Sequence, residues 1–159
     1  MLIIIDAQAL ITGKISKKDN NKISVSIELW DVYGEKRMFG LSLSSQSKSW
    51  RRISHIISDK IYERLTGEEG YFDTRIVYIA ESGSQKNKIK RLAIMDQDGG
   101  NHKYLTDGKS LVLTPRFSPN QQLITFFSYN GVQAGLKPSV YLYNLLNGKI
   151  EILGQFPGM

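Results

Sequence analysis

Two histidines, His55 and His102, are the only imidazoles in this 159-residue chain, and imidazole is the side chain most suited to acid–base or metal chemistry near neutral pH. Neither has metal-ligand spacing. His55 sits beside Ile56 in an apolar-periodic stretch and His102 follows a turn, so both are read as structural or solvent-facing. The segment DQDGGN, Asp96 to Asn101, has the opening carboxylates of a calcium loop. However, its sixth position is Asn101 instead of glycine and its twelfth is Asp107 instead of glutamate. It also falls where a hairpin turn belongs, and that reading is preferred. No Gly-x-Ser-x-Gly elbow, dinucleotide glycine motif or Walker motif occurs. Cysteine is absent, which removes thiol catalysis, disulfides and cysteine-based zinc sites. Tyr141 and Tyr143 could stack nucleobases, but their alternation within one strand directs them to a core. The residues therefore assign no catalytic, cofactor-binding or metal-binding position, and they leave partner-binding positions unknown.

The net charge of +6 raises the question of an anionic partner. The densest basic cluster is Lys86, Lys88, Lys90 and Arg91, in a polar stretch between two expected strands. A solvated loop is the reading adopted over a phosphate site. Nucleic acid remains an alternative partner that the surplus alone does not favour. With 41% hydrophobic and 23% charged residues, the chain has the balance of a soluble globular protein. The opening MLIIID lacks the basic start, long apolar run and cleavage site of a secretory leader. No stretch approaches membrane-spanning length.

The elements that would position any site come in two styles. Ala9, Ile11, Gly13 and Ile15 alternate with polar residues, predicting a half-buried strand. Lys18 to Lys22 is turn-forming. Ile23, Val25, Ile27 and Leu29 then give the clearest period of two. A turn at Gly34 leads to a third strand over Arg37–Ser44, with Met38, Leu41 and Leu43 as its apolar residues. The period then changes. Trp50, Ile53, Ile57, Ile61 and Leu65, with Ile56, form one apolar face of a helix of about four turns. Ser47 or Ser49 is its expected N-cap and Gly67 its left-handed terminator. Such a helix covers a sheet. The acidic, glycine-containing stretch Thr66 to Thr74 marks a boundary, with residues 1–70 on one side and 71–159 on the other.

Beyond the boundary, short strands recur. RIVYIA from Arg75 aligns with QLITFF from Gln122 at an offset of 47, and RLAIMDQDGG from Arg91 with SVYLYNLLNG from Ser139 at 48. HKYLT from His102 aligns with IEILG from Ile150, again at 48. A four-stranded unit repeating at this length is the signature of a β-propeller blade. The second unit is read as strands A (Leu111–Ser118), B (Gln122–Ser128), C (Val140–Asn144) and D (Lys149–Leu153), and the first as B, C and D only. Pro119 fixes the corner after strand A, and Gly99-Gly100 and Asn147-Gly148 supply tight C–D turns. Phe117, Phe126, Tyr141 and Tyr143 are expected between the stacked sheets. The fold class is thus α+β, a β-β-β-α portion of a two-layer domain followed by antiparallel propeller blades.

The segments DAQALITGKI, SWRRISHIISDKIYERLTGEEGYFDTRIVYIAES, IMDQDGGNHKYLT and TPRFSPNQQLITFFS resemble the TolB family of the Tol–Pal envelope system, in order and over almost the whole chain. The resemblance implies the C-terminal part of an N-terminal α/β domain over residues 1–70. Residues 71–159 would then be an incomplete portion, about two blades, of a six-bladed propeller. It further implies a periplasmic, non-enzymatic interaction protein without cofactor. Such a protein binds a Pal-like lipoprotein and other Tol proteins, supports outer-membrane integrity and cell division, and is exploited by colicins. The family's blade turn usually reads Pro-Asp-Gly; Pro119-Asn120-Gln121 here predicts a wider turn. The family's leader, partner-binding N-terminal segment and remaining blades have no counterpart here, so no binding residue is carried over. Less than two blades leave open edges, which predicts self-association. The regulatory propeller of a serine peptidase is the alternative reading.

Overall fold

The computed structural model describes residues 6–129 and 138–155; the opening segment, read above as lacking a leader's organisation, lies largely outside them. The chain forms two compact units, Met1–Asp73 and Thr74–Met159.

In the first unit, β1 (Ala9–Lys18), β2 (Lys22–Asp31) and β3 (Lys36–Gln46) form an antiparallel meander in that order. The β1–β2 turn places Asn20 and Asn21 at φ of 61° and 56°, a conformation asparagine tolerates better than most residues. At the β2–β3 turn the Asp31 carboxylate accepts the Gly34 N–H at 2.9 Å. The poor alternation of β3 has a cause. Leu29 faces Phe39 while Trp30 faces Arg37, so Met38 is the extra residue of a β-bulge. Phe39, Leu41 and Leu43 therefore point to the core, and Phe39 replaces Met38 in the expected apolar set.

The helix α1 (Trp50–Thr66) follows a 3-10 turn at Ser47–Ser49. Ile53 and Ile57 pack against Ile23, Val25, Ile27, Phe39, Leu41 and Leu43, making α1 a cover for β2 and β3. Ser49 occupies the N-cap but its side chain makes no capping bond. Gly67 ends the helix at φ 79°, its N–H reaching the Glu63 carbonyl at 2.9 Å. The buried stripe is narrower than the periodicity predicts, since Trp50 and Leu65 are exposed. Strand β1 also differs from expectation. Ile11 and Ile15 pair with Leu29 and Val25 and so share the helix-facing side, yet they are 52% and 75% exposed because α1 lies over the other two strands. On the outer side of α1, Asp59 accepts the N–H groups of Phe72 and Asp73 at 2.6 and 3.1 Å.

The second unit contains two antiparallel sheets. One has the order β4 (Arg75–Ser82), β5 (Ile89–Asp96), β6 (Lys103–Tyr104). The other has the order β10 (Ile150–Gln155), β9 (Ser139–Asn144), β8 (Leu123–Tyr129), β7 (Leu111–Phe117). Their registers superimpose. Arg75 faces Asp96 as Leu123 faces Asn144, and Ala93 faces Tyr104 as Tyr141 faces Ile152, so every equivalence is 48 residues. Even the turn bond from Gln97 N to Thr74 O recurs as Leu145 N to Gln122 O. The first strand of the repeat thus aligns one residue later than the offset of 47 read from sequence. Arg75–Ala80 corresponds to Leu123–Ser128, and a one-residue slip exchanges the two faces of a strand.

The inter-sheet core consists of Leu92, Ile94, Val112, Ile124, Phe126, Tyr141 and Tyr143, with Val77, Ile79, Leu105, Phe117 and Leu145 against it. The expected filler aromatics are where the repeat placed them, and Phe126 stacks on Tyr141 at 5.5 Å. The corner after β7 is tight, contrary to the wider turn expected. The Gln121 N–H bonds the Ser118 carbonyl at 2.9 Å, and Gln121 itself takes the left-handed φ of 55° that glycine would otherwise supply.

Candidate interaction surface

The sequence-flagged polar residues do not converge. His55 is buried within α1. His102 is exposed and stands edge-on to Tyr104 at 4.8 Å. Tyr141 and Tyr143 are each 7% exposed, so their faces are closed to a nucleobase. The carboxylates of the calcium-like segment serve the hairpin instead. Asp96 takes the Asn101 amide at 2.6 Å, Asp98 takes the Gly100 N–H at 3.0 Å, and Asp107 takes the Lys109 N–H at 3.0 Å. Among the described residues no three His, Cys, Asp or Glu side chains gather as a metal site.

The basic cluster is largely satisfied internally. Glu81 bridges Lys88 at 3.0 Å and Lys90 at 2.8 Å. The hydrogen bond from Lys90, then that from Lys88, holds the Glu81 carboxyl below its ordinary pKa. Arg91 donates to the Asp107 carbonyl at 3.3 Å and to Ser82 at 3.1 Å, with its guanidinium 5.1 Å from the Tyr104 ring centre. Ion pairs on an exposed loop hold the loop more than they invite phosphate.

Two features do face outward. The first unit carries an aromatic group in which Tyr71, 54% exposed, stacks on Phe72 at 4.7 Å, with Tyr62 edge-on to both. The second unit holds a cavity of about 300 Å³ lined by Leu105, Thr106, Asp107, Ser110, Val112, Phe126, Ser128, Tyr141 and Ile150. Ile152 and Leu153 of β10 are 58% and 56% exposed. Sequence reasoning missed the cavity because its lining is contributed by two repeats together. At the offset of 48 that the strand registers fix, Ser128 stands where the first repeat has Ala80, an equivalence the sequence offset of 47 had hidden.

A helix-covered meander followed by stacked antiparallel sheets that repeat every 48 residues defines a propeller-type fold. The family model described as the TolB beta propeller domain matches residues 62–159, and that described as the TolB amino-terminal domain matches residues 3–38. The chain belongs to the TolB family. It is 54% identical over 156 residues to the Tol-Pal system protein TolB of Paramagnetospirillum magneticum, covering 98% of this chain and 34% of that relative. The crystal structure of TolB from Acinetobacter baumannii superimposes with a TM-score of 0.89 at 26% identity, covering 99% of this chain and 38% of that one. The chain therefore spans about a third of the length of the relatives it matches. None of the described helices is long and apolar enough to cross a membrane.

Proposed function

We propose that this chain is a protein–protein interaction module of the Tol–Pal envelope system, acting in the periplasm without catalysis. The observation that carries the reading is its 54% identity, over nearly the whole chain, to a protein named for that system. The mechanism that fits is recognition by preformed loops and pockets held on rigid blades, which limits the ordering cost of binding. The partners proposed are a Pal-like lipoprotein and other Tol proteins, and the cellular outcome is outer-membrane integrity and cell division. Residues 1–70 act as the end of the N-terminal domain and residues 71–159 as propeller blades. The isolated chain self-associates through β10, whose Ile150, Ile152 and Leu153 are all exposed on a strand paired along one edge only among the described residues.

The test is calorimetric titration of the 159-residue chain with the purified soluble domain of the Pal-type lipoprotein from the same cell. Saturable binding is the expected result. Absence of binding to that domain and to every Tol protein of the same cell would overturn the reading.

A further inference from the structure

The turn between β9 and β10 runs Asn144-Leu145-Leu146-Asn147-Gly148-Lys149. The Asn144 N–H donates to the Lys149 carbonyl at 2.9 Å, and the Gly148 N–H to the Asn144 carbonyl at 2.8 Å. The Asn144 side-chain oxygen accepts the Leu146 N–H at 2.9 Å, and that of Asn147 accepts the Lys149 N–H at 2.9 Å. Asn147 and Gly148 are both exposed, and Gly148 takes a φ of 71°. A Cβ built on Gly148 would meet only the Tyr143 hydroxyl, at 3.6 Å. At the offset of 48 that the registers fix, the first repeat has Gly99 where the second has Asn147, so no side-chain amide stands at that place in the first repeat.

An asparagine followed by glycine sets its amide carbon within ring-closing reach of the next backbone nitrogen, and glycine puts no side chain in the way. Here the Lys149 N–H polarises the Asn147 side-chain carbonyl, which leaves Cγ more open to attack. What restrains the reaction is the nucleophile. The Gly148 N–H is committed to the Asn144 carbonyl, so its nitrogen can attack only when the turn opens locally.

We propose that Asn147 is a deamidation site gated by the bond from Gly148 to Asn144, and that its rearranged product releases β10 from β9. A base removes the Gly148 N–H proton, the nitrogen bonds Asn147 Cγ, and the Cγ–Nδ2 bond breaks. The amide nitrogen leaves as ammonia, taking a proton from the conjugate acid of that base. Water then opens the succinimide. Addition at Cγ gives aspartate, and addition at the backbone carbonyl gives isoaspartate. Either product lowers the net charge of +6 by one. Aspartate keeps an oxygen for the Lys149 N–H. Isoaspartate routes the main chain through Cβ and Cγ, and the lengthened turn displaces the register in which Ile150 faces Tyr143. Among the described residues β10 has no second neighbour to hold it, and its register with β9 is already interrupted between Ile152 and Gly154.

The test is incubation of the 159-residue chain in neutral and mildly alkaline buffer, beside the peptide acetyl-Tyr-Asn-Leu-Leu-Asn-Gly-Lys-Ile-amide. Conversion is read by proteolytic peptide mapping and by labelling with an isoaspartyl methyltransferase. The chain's other Asn-Gly pair, Asn130-Gly131, lies outside the described residues and is read separately in the same map. Conversion at Asn147 is expected, faster in alkali, and about 3- to 10-fold slower than in the peptide, the effect of one hydrogen bond. Asn144→Ala, which removes the acceptor of the Leu146 N–H, should bring the rate at Asn147 towards that of the peptide. Amide exchange along β10 should accelerate in the isoaspartyl form, isolated by ion exchange, and keep its wild-type rate in Asn147→Asp. The comparison of wild type with peptide decides the matter even if a variant were to unfold. No conversion at Asn147 while the peptide is consumed would overturn the site. Conversion as fast as in the peptide, or unchanged by Asn144→Ala, would overturn the gate. Wild-type exchange in the isoaspartyl form would overturn the release of β10.

Discussion

Replacing Asp59 by alanine removes the acceptor for two backbone donors at once. Its Oδ1 lies 2.6 Å from Phe72 N and its Oδ2 3.1 Å from Asp73 N, both bonds part-buried. A hydrogen bond to a charged group contributes about 1.5–3 kcal/mol when shielded. Allowing for partial access of water, the pair is worth about 2 kcal/mol. For a unit of the size of Met1–Asp73, that corresponds to a fall in melting temperature of about 8–16 °C. Asparagine at the same position keeps one acceptor but turns an NH2 towards the second N–H, so its cost should approach that of alanine. The measurement is thermal unfolding by circular dichroism together with amide exchange at Phe72 and Asp73, whose protection should drop in the variant. Unchanged melting with unchanged protection at both amides would refute the assignment of Asp59 as the clamp of this segment. Gly70 gives an independent check, because a Cβ there would come within 2.4 Å of the Asp59 Cα. Gly70→Ala should therefore destabilise the unit by about 1–3 kcal/mol through crowding of backbone.

Gln121→Gly should stabilise the second unit by about 0.5 kcal/mol in urea unfolding, because it relieves a left-handed φ of 55° at the expense of a looser unfolded chain; a clear loss would mean that the turn differs from the one described. Phe126→Ala should cost about 3–5 kcal/mol by the same measurement, since Phe126 is 3% exposed and stacked on Tyr141; a loss under about 1 kcal/mol would contradict its place in the core. Glu81→Gln tests the loop ion pairs. The Glu81 carboxyl has its pKa lowered from 4.5 by Lys90 and then Lys88, so its stabilising contribution is present above that value and is lost as pH falls through the folded-state pKa. Wild type and Glu81→Gln should differ in melting at neutral pH and low salt, and converge both in acid and in high salt. The double variant Ile152→Lys and Leu153→Lys should leave the circular dichroism spectrum unchanged and shift sedimentation towards the monomer; association that persists would place the self-contact elsewhere.

The strand order and the helix were legible because their signals are local. Ile23 to Leu29 alternate cleanly since one face meets α1, and Gly67 ends the helix because glycine alone takes φ 79° there without strain. What escaped the sequence was non-local. The bulge that drops Met38 from the core depends on pairing with Leu29 and Trp30. The exposure of Ile11 and Ile15 depends on how far α1 reaches across the sheet. The B-strand alignment slipped by one because Val77, Tyr78, Ile79 and Ala80 are all half-buried. When both faces of a strand carry apolar residues, alternation no longer fixes which residue points inward.

The cavity shows what a reading by repeat equivalence passes over. At the offset of 47 Ala80 is set against Phe127, whereas the strand registers set it against Ser128. Yet the faces on which the two repeats meet are not equivalent. The first sheet presents Val77 and Ile79 inward, whereas Ser128 lies on the alternate set of its own sheet with Ile124 and Phe126. Ser128, on that set, lines the cavity between the two sheets. The lining of such a cavity can therefore change by a single substitution at a strand end while the 48-residue register stays intact.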